Sequence, residues 1–128
     1  MIIDGKKVAI DIRNRIRSQL EQFPDTNITL ATVLVGENPA SQLYVGKKHK
    51  EAHAAGMQSK HVQLAANISQ QQLESEIDVL AADPNVHAIL VQLPLPEHIN
   101  KQAVIEKIPA CKDVDGLGSE NMGKLLQG

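Results

Sequence analysis

Two largely apolar segments constrain the fold of this chain more than any other feature. The first covers residues 28–35 and is closed by Gly36, and the second covers residues 87–93 and is stopped by Pro94. A strand that is buried on one face alternates apolar and polar residues, whereas a strand of a parallel sheet covered on both faces is apolar along its length. The two segments therefore predict buried strands in the centre of a parallel sheet.

Helical patterns lie before and between these strands. An apolar residue recurs every four positions from Val8 to Leu20, which predicts an amphipathic helix that begins near Asp4 or Gly5 and ends by Pro24. Asn followed by Pro at positions 38–39 is typical of an N-cap and the first helical residue, and a glycine at position 56 is typical of a helix C-terminus. A second helix is therefore predicted over residues 39–55.

The rest of the chain continues this alternation. Ser69 and Gln72 form a capping box before an apolar stripe at positions 73, 77 and 80, which predicts a third helix. A half-polar strand is predicted at residues 57–64, a turn at 83–85, a short helix at 101–108, and a strand end or turn at 112–116. Alternating strands and helices predict a three-layer α/β fold with a mostly parallel sheet, in which ligands bind beyond the carboxyl ends of the strands.

The composition excludes several classes of function. The 128 residues fit one domain, and a net charge of −2 with scattered Lys and Arg gives no basic field for nucleic acid. No apolar run approaches the length of a membrane span, and the N-terminus lacks the apolar region of a signal peptide. The single Cys111 cannot form an internal disulfide, which suits a reducing compartment. We therefore expect a cytoplasmic protein that binds neither nucleic acid nor membranes.

The second helix carries an unusual polar face. Ser41, Tyr44 and Lys48 are spaced i, i+3, i+7 and project from one side, although the chain has only one Tyr, one Phe and no Trp. In a functional interpretation Lys48 is partly buried and exchanges protons near neutral pH. In the alternative interpretation Tyr44 is a core ring and Lys48 extends into solvent. The sequence pattern alone leaves both open.

Two polar residues follow the predicted strands. Gln92 ends the second apolar strand, where a buried amide needs partners, and Pro94 and Pro96 stiffen the loop in a way that suits a preformed ligand wall. The alternative is an amide that caps a neighbouring backbone group. Asp113 and Asp115 point the same way in an extended segment, and such a carboxylate could accept two N–H bonds from a planar heterocycle such as a pterin. By itself, the pattern favours a solvated turn carboxylate.

Metal and phosphate sites receive less support. His49 and His53 are four residues apart, like the two ligands on a zinc-protease helix, but Lys50 stands where that motif has its catalytic Glu. With no third ligand in view, the pattern favours a solvated helix face and no metal. No G-x-G-x-x-G loop occurs in the sequence.

Three linked stretches together resemble one family. Residues 35–45 with Lys48, residues 91–96, and residues 112–116 followed by Asn121 and Gly123 occur in an order and spacing similar to the N-terminal catalytic domain of bifunctional methylenetetrahydrofolate dehydrogenase/methenyltetrahydrofolate cyclohydrolase. The resemblance covers essentially the whole chain and implies one catalytic domain at residues 1–128. It also implies the fold of an aminoacid-dehydrogenase-like N-terminal domain.

The resemblance implies a role for each matching residue. Lys48 would be the catalytic amine, Tyr44 would stack on the aminobenzoyl part of the folate and help to position Lys48, and Gln92 would orient Lys48. Asp115 would anchor the pterin. The cleft would further be lined by Ser41, Leu93 and Pro94.

Enzymes of this family oxidise 5,10-methylenetetrahydrofolate with NADP and hydrolyse the methenyl product to 10-formyltetrahydrofolate, in one-carbon metabolism that feeds purine biosynthesis. They continue into an NADP-binding Rossmann domain that these 128 residues do not contain, and they commonly form homodimers. We therefore expect weak or no activity from the chain alone, which would be monomeric. Two alternatives remain at this point: a catalytically silent folate-binding or interaction module, and an unrelated α/β domain with Gln92 on the opposite side from Tyr44 and Lys48.

Overall fold

The computed structural model describes residues 3–128, and these residues form eight regular elements. Helices and strands alternate over most of the chain, as the sequence predicts, because apolar runs of strand length are separated by helical patterns with recognisable caps. In chain order the elements are α1 (Gly5–Leu20), β1 (Thr29–Val35), α2 (Pro39–Ala54), β2 (Gln58–Leu64), α3 (Gln70–Ala82), β3 (Ala88–Val91), α4 (Lys101–Glu106) and α5 (Ser119–Gln127).

The three strands form one parallel sheet in the order β2-β1-β3. The central strand β1 is buried without interruption from residue 31 to residue 35, which confirms the prediction of a strand covered on both faces. β2 is the half-polar edge strand that its sequence predicts. On the other side of β3, Asp113 pairs with Ile89 in a single parallel bridge and extends the sheet by one short segment.

Helices cover both faces of the sheet, so the predicted three-layer arrangement is confirmed. On one face, odd-numbered residues of β1 and β3 join α3 and α4 in a continuous apolar cluster. This apolar layer contains Val33, Ile89, Leu73, Ile77 and Val104, all of which are at most 1% exposed. On the opposite face, α2 packs on β1 and β2, and α1 packs on α2.

Helix caps account for the way in which α2 and α3 begin. The Asn38 side chain accepts a hydrogen bond from the Ser41 backbone N–H at 3.1 Å, and Pro39 occupies the first turn, where its missing N–H has no consequence. At α3, Ser69 and Gln72 form a reciprocal capping box. Both predicted N-termini are therefore confirmed.

Three sequence expectations need correction. The apolar stripe of α1 is not buried, since Val8 and Ile12 remain 48% and 43% exposed, because this helix packs mainly on α2 and not on the sheet. β3 lies at one side of the three-stranded sheet and spans four residues, shorter than expected. The pairing of β3 with β1 continues only to the Gln92 N–H, which donates to Val33 O at 2.8 Å, and Pro94 has no N–H to continue it.

The sequence reasoning also missed α5, although Met122, Leu125 and Leu126 have helical spacing.

Within residues 3–128, none of the helices combines the length and the apolar character needed to cross a bilayer.

Candidate active site

The candidate site lies where β1 and β3 end. β1 leads directly into Gly36, whose φ of +80° belongs to the left-handed region that glycine adopts without a steric penalty. The Gly36 N–H donates to Leu64 O of β2 at 2.9 Å, which fixes the turn at the carboxyl edge of the sheet. α2 begins three residues later, at Pro39, so its first turns stand beside the ends of the strands.

Lys48 and Gln92 meet across this edge. The Lys48 ammonium donates to the Oε1 atom of Gln92 at 3.2 Å, although 44 residues separate them in sequence. Lys48 is half-buried and lies on the side of α2 that also carries the buried Ser41 and Val45. This contact contradicts the alternative of an unrelated α/β domain, because that alternative places Gln92 on the opposite side from Lys48. It also shows that the Lys48 head group does not simply extend into solvent.

Gln92 uses both ends of its amide. Its Oε1 accepts from Lys48, while its Nε2 donates to the backbone oxygen of Leu93 at 2.7 Å. The cap of a neighbouring backbone group is therefore confirmed, and the same amide also contacts Lys48, whereas a role of Gln92 in a ligand wall stays a prediction. The hydrogen bond to the Leu93 backbone oxygen holds the plane of the Gln92 amide, so the Oε1 atom has a fixed direction toward Lys48.

Tyr44 presents its ring at the surface. The residue is 56% exposed, so the expectation of a core ring is wrong, and it stands one helical turn before Lys48. Ser41 is 3% exposed and lies on the inner side of the same helix. The polar face of α2 is thus divided: Ser41 and Lys48 point toward the sheet edge, and Tyr44 flanks them with an accessible aromatic face.

The loop after β3 forms a second wall. The Leu93–Pro94 peptide bond is cis, Leu93 is half-buried and Pro94 is exposed. Leu95 packs against the apolar layer and anchors the loop from below. The loop therefore offers an apolar side chain and a proline ring beside Gln92.

Asp113 is the residue that organises the segment after α4. Its carboxylate accepts hydrogen bonds from the backbone N–H groups of Gly116 at 3.0 Å, Leu117 at 3.4 Å and Gly118 at 2.9 Å, and from the Asn121 side chain at 3.1 Å. Burial is the largest single influence and raises the pKa of Asp113, but these donated bonds outweigh it and hold the pKa below its ordinary value. Sequence reasoning missed this role; two glycines placed three and five residues after an Asp are the signal that could have found it.

Asp115 lies at the same edge but is exposed. It lines a shallow depression together with Asp113, Leu117 and the β3 residues Ile89 and Val91. Because Asp113 pairs in parallel with Ile89, the chain from 113 to 115 runs along β3 toward Gln92. Within residues 3–128 the Asp115 carboxylate accepts no hydrogen bond, and the residue is exposed to solvent.

The histidines of α2 form hydrogen bonds with the sheet. His49 is half-buried and bonds to the buried Thr32 of β1 and to Ser59 of β2, so the expectation of a solvated helix face is wrong for this residue. Burial first, and then the neighbouring His61 and His53, lower the pKa of His49 below its ordinary value. No group of three or more His, Cys, Asp or Glu side chains within residues 3–128 is arranged to hold a metal ion.

Fold and site together define an α/β domain with a polar site at the carboxyl edge of a parallel sheet. Residues 3–115 match the family described as the catalytic domain of tetrahydrofolate dehydrogenase/cyclohydrolase. The chain belongs to this family.

Relatives and solved structures agree with this assignment. Bifunctional protein FolD of a Wolbachia strain from Drosophila simulans is 47% identical over 131 aligned residues, which cover all of this chain and 45% of that protein. FolD of Moorella thermoacetica is 45% identical and is covered to 46%. The bifunctional FolD enzyme of Campylobacter jejuni superposes with a TM-score of 0.92 at 42% identity, covering 95% of this chain and 44% of that one.

The Trypanosoma brucei methylenetetrahydrofolate dehydrogenase-cyclohydrolase, solved with NADP cofactor and inhibitor, gives a TM-score of 0.91 at 39% identity, covering 98% of this chain and 43% of that one. The chain thus spans slightly less than half the length of the relatives that it matches.

Proposed function

We propose that the chain is the folate-binding catalytic domain of an enzyme that oxidises 5,10-methylenetetrahydrofolate with NADP and hydrolyses 5,10-methenyltetrahydrofolate to 10-formyltetrahydrofolate. We place this enzyme in the one-carbon metabolism of the cytoplasm, as a homodimer. Family membership supports the choice of substrate, and the domain proposed for it is residues 1–128. The observation that carries the proposal is the hydrogen bond from the Lys48 ammonium to Gln92, because it brings a proton carrier to the carboxyl edge of the sheet.

The hydrolytic step needs placement more than nucleophilic strength. The methenyl carbon is bonded to two nitrogens that share a positive charge, so water adds to it directly. The added water loses one proton to give a neutral carbinolamine. One carbon–nitrogen bond then breaks as its nitrogen gains a proton, and the hydroxyl loses its remaining proton to solvent, which leaves a formyl group on the other nitrogen and releases one proton overall. A single amine held at a fixed position can take up the first proton and return the second. Lys48 is proposed for this role, with Gln92 fixing its direction.

The remaining residues of the site would bind the substrate. The exposed ring of Tyr44, one turn from Lys48, can stack on the aminobenzoyl group. The free carboxylate of Asp115 can accept two N–H bonds from the pterin, because a planar N–H pair and a carboxylate match in geometry. The cleft between these two anchors would be lined by Ser41, Leu93 and Pro94.

The chain's own residues are not assigned to NADP. The 128 residues contain no G-x-G-x-x-G loop, and the dehydrogenase activity is therefore proposed for the enzyme as a whole, with the cofactor accepting hydride when it is bound. Within this chain, the residues of the site bind the folate, orient it and relay protons.

Loss of methenyltetrahydrofolate absorbance tests the hydrolytic assignment. In a full-length enzyme that contains this domain, we expect Lys48→Met to lower the hydrolysis rate by about 100-fold or more, because the proton carrier is removed. Lys47→Met changes the exposed neighbour of the same charge and should leave the rate within about twofold. Equal rates for Lys48→Met and the unaltered enzyme would contradict the catalytic role.

A second candidate function is a folate-binding or interaction module without catalysis, in which the exposed ring of Tyr44 and the exposed Asp115 contact a ligand that is not converted. Calorimetric titration of the chain with a folate distinguishes the two. Binding without turnover in both the chain and a full-length enzyme would support the module, whereas turnover that depends on Lys48 would exclude it.

A further inference from the structure

A continuous series of side-chain hydrogen bonds crosses the face of the sheet that lies under α2. It begins at the exposed His53 and ends at the backbone oxygen of Gly36, the residue that joins β1 to the loop before α2. Its centre, Thr32, is fully buried. This histidine chain consists, in order, of His53, Ser59, His49, Thr32, His61 and Gln63.

The first half of the histidine chain connects α2 to both neighbouring strands. The Ser59 hydroxyl of β2 lies 3.1 Å from His53 Nε2 and 2.5 Å from His49 Nδ1. The other ring nitrogen of His49, Nε2, lies 2.8 Å from the Thr32 hydroxyl of β1. His49 therefore bridges two strands from the position next to Lys48 on α2.

The second half connects the buried threonine to the site loop. Thr32 Oγ1 lies 3.5 Å from His61 Nδ1, and the two imidazole rings of His61 and His49 meet edge to face with their centres 5.5 Å apart. His61 Nε2 lies 3.1 Å from Gln63 Oε1, and Gln63 Nε2 donates to Gly36 O at 2.5 Å. The last link thus holds the turn that opens into α2.

One arrangement of protons satisfies every link. If each histidine is neutral and carries its proton on Nε2, His49 donates to Thr32, Thr32 donates to His61 Nδ1, and Ser59 donates to His49 Nδ1. His61 Nε2 then donates to Gln63 Oε1, so all bonds run in one direction. The neutral histidine chain leaves no donor facing another donor.

Protonation of the histidines disrupts this single direction of the hydrogen bonds. A charged His61 carries a second N–H on Nδ1, which points at a Thr32 hydroxyl that already accepts a bond from His49. The Thr32 O–H then loses its acceptor at a fully buried position, which is unfavourable. A second charge on His49 would also lie close to the first.

The charges around His49 come from few groups. β2 contributes His61 and α2 contributes His53, and both lower the pKa of His49 after the larger effect of burial. β1 contributes only the uncharged Thr32, and α1 meets α2 through the ion pair of Arg13 with Glu51. No acidic side chain among residues 3–128 pairs with His49, so nothing in this region compensates a charge on its imidazole.

We propose that the histidine chain is a pH-sensitive tether that holds the loop before α2, and α2 itself, against the sheet. His49 is then a positioning residue for Lys48: it fixes the helix turn from which Lys48 reaches Gln92. Below neutral pH the tether opens at Thr32 and α2 moves more freely. The consequence for catalysis rests on the proposed function, whereas the tether is a property of the fold.

Nuclear magnetic resonance on the intact chain tests the tether without any activity. Between about pH 8 and about pH 5.5, the Gly36 amide signal should shift with the same midpoint as the imidazole signals of His49. In Thr32→Val, which removes the central hydroxyl, the Gly36 shift should disappear, and Thr32→Ser should restore it. His87→Gln is the matched control and should leave the Gly36 shift in place, because His87 lies outside the histidine chain and accepts a bond from the Thr29 N–H.

A Gly36 signal that titrates equally in Thr32→Val, or that does not titrate in the unaltered chain, would overturn the proposal. If Thr32→Val does not fold, His49→Gln gives the same comparison from the helix side.

A kinetic arm tests the positioning role in a full-length enzyme. At about pH 8, His49→Gln should lower kcat for methenyltetrahydrofolate hydrolysis by about three- to tenfold with little change in KM, because a misplaced catalytic group affects the reaction step. It should also flatten the decline of kcat toward about pH 6. An unchanged kcat and pH profile would overturn the positioning role. If Lys48→Met shows that the proposed function is wrong, the magnetic resonance result still decides the tether.

Discussion

The two faces of the sheet bury different kinds of side chain. Under α3 and α4, the contacts are an apolar layer of aliphatic residues such as Val33, Ile77 and Ile89. Under α2, the buried apolar residues Leu34 and Val45 are accompanied by a hydrogen bond of 2.8 Å between Thr32 of β1 and His49 of α2. Aliphatic contacts are non-directional and stabilise the fold, whereas hydrogen bonds fix side chains in direction. One face is therefore held by apolar packing, whereas the other combines apolar packing with hydrogen bonds that fix the direction of its side chains.

This comparison predicts its largest effect on the apolar face. Ile77→Ala should lower the free energy of unfolding by about 2–5 kcal/mol, because a fully buried side chain is replaced by a cavity. Urea denaturation measures the change. The control is Val79→Ala on the same helix, where the side chain is 63% exposed and the cost should stay below about 1 kcal/mol. Similar losses in both variants would remove the distinction between a buried and an exposed face of α3.

On the loop beside the sheet, two carboxylates should have different effects. Substitution of Asp113 should change stability, whereas substitution of Asp115 should change folate binding. Asp113→Asn should cost about 1–3 kcal/mol, because an amide N–H₂ would face the donors that one carboxylate oxygen now accepts from Gly118 and Asn121. Urea denaturation and hydrogen exchange of the Gly118 amide measure it. Asp115→Asn changes an exposed carboxylate and should leave stability within about 0.5 kcal/mol while weakening folate binding. The reverse pattern would show that the two roles are exchanged.

On the polar face, Gln92→Leu should impair turnover with little loss of stability. It removes the oxygen that accepts from Lys48 at 3.2 Å, and we expect kcat of the full-length enzyme to fall about tenfold, equivalent to about 1.4 kcal/mol. Steady-state kinetics of methenyltetrahydrofolate hydrolysis measure it. Gln42→Leu, at an exposed position of α2, is the control. A normal kcat in Gln92→Leu would mean that Lys48 needs no orienting partner.

The smallest expected effect is the pH dependence of stability, which should fall in two separate pH ranges as the solution is acidified. The pKa of His49 lies below its ordinary value of 6.5 and that of Asp113 below 3.8, so at both sites the unfolded chain binds more protons than the folded chain. Stability should therefore be complete above each ordinary pKa and be lost as the pH falls through the lowered one. Urea midpoints across pH measure this, and His49→Gln should remove only the decline that begins near neutral pH. A midpoint that rises on acidification would contradict both signs.

Much of the fold was predictable because its signals are local. A strand buried on both faces must be apolar throughout, so β1 could be located from its own residues. The caps at Asn38 and Ser69 act within three residues, and both helices begin where the sequence predicts. The half-exposed stripe of α1 could not be predicted, since its burial depends on what packs against it.

The candidate site divides in the same way. Lys48, Gln92 and Asp115 were proposed from their residue types, spacing and family resemblance, and the structure brings the first two into contact. The organising role of Asp113 was missed because it depends on backbone N–H groups that converge only after the chain turns at Gly116. The role of His49 was misjudged for a related reason: its partners, Thr32 and Ser59, lie on two different strands.

By itself, the sequence determined the class of fold, the positions of the main helices and strands, and the family, because periodicity, caps and linked motifs are written along the chain. Tertiary structure decided which polar residues meet. The contact of Lys48 with Gln92 spans 44 residues, and the histidine chain joins three elements. Hydrogen bonds form only within about 3.5 Å, so side chains far apart in sequence become partners only after the sheet has set their strands side by side.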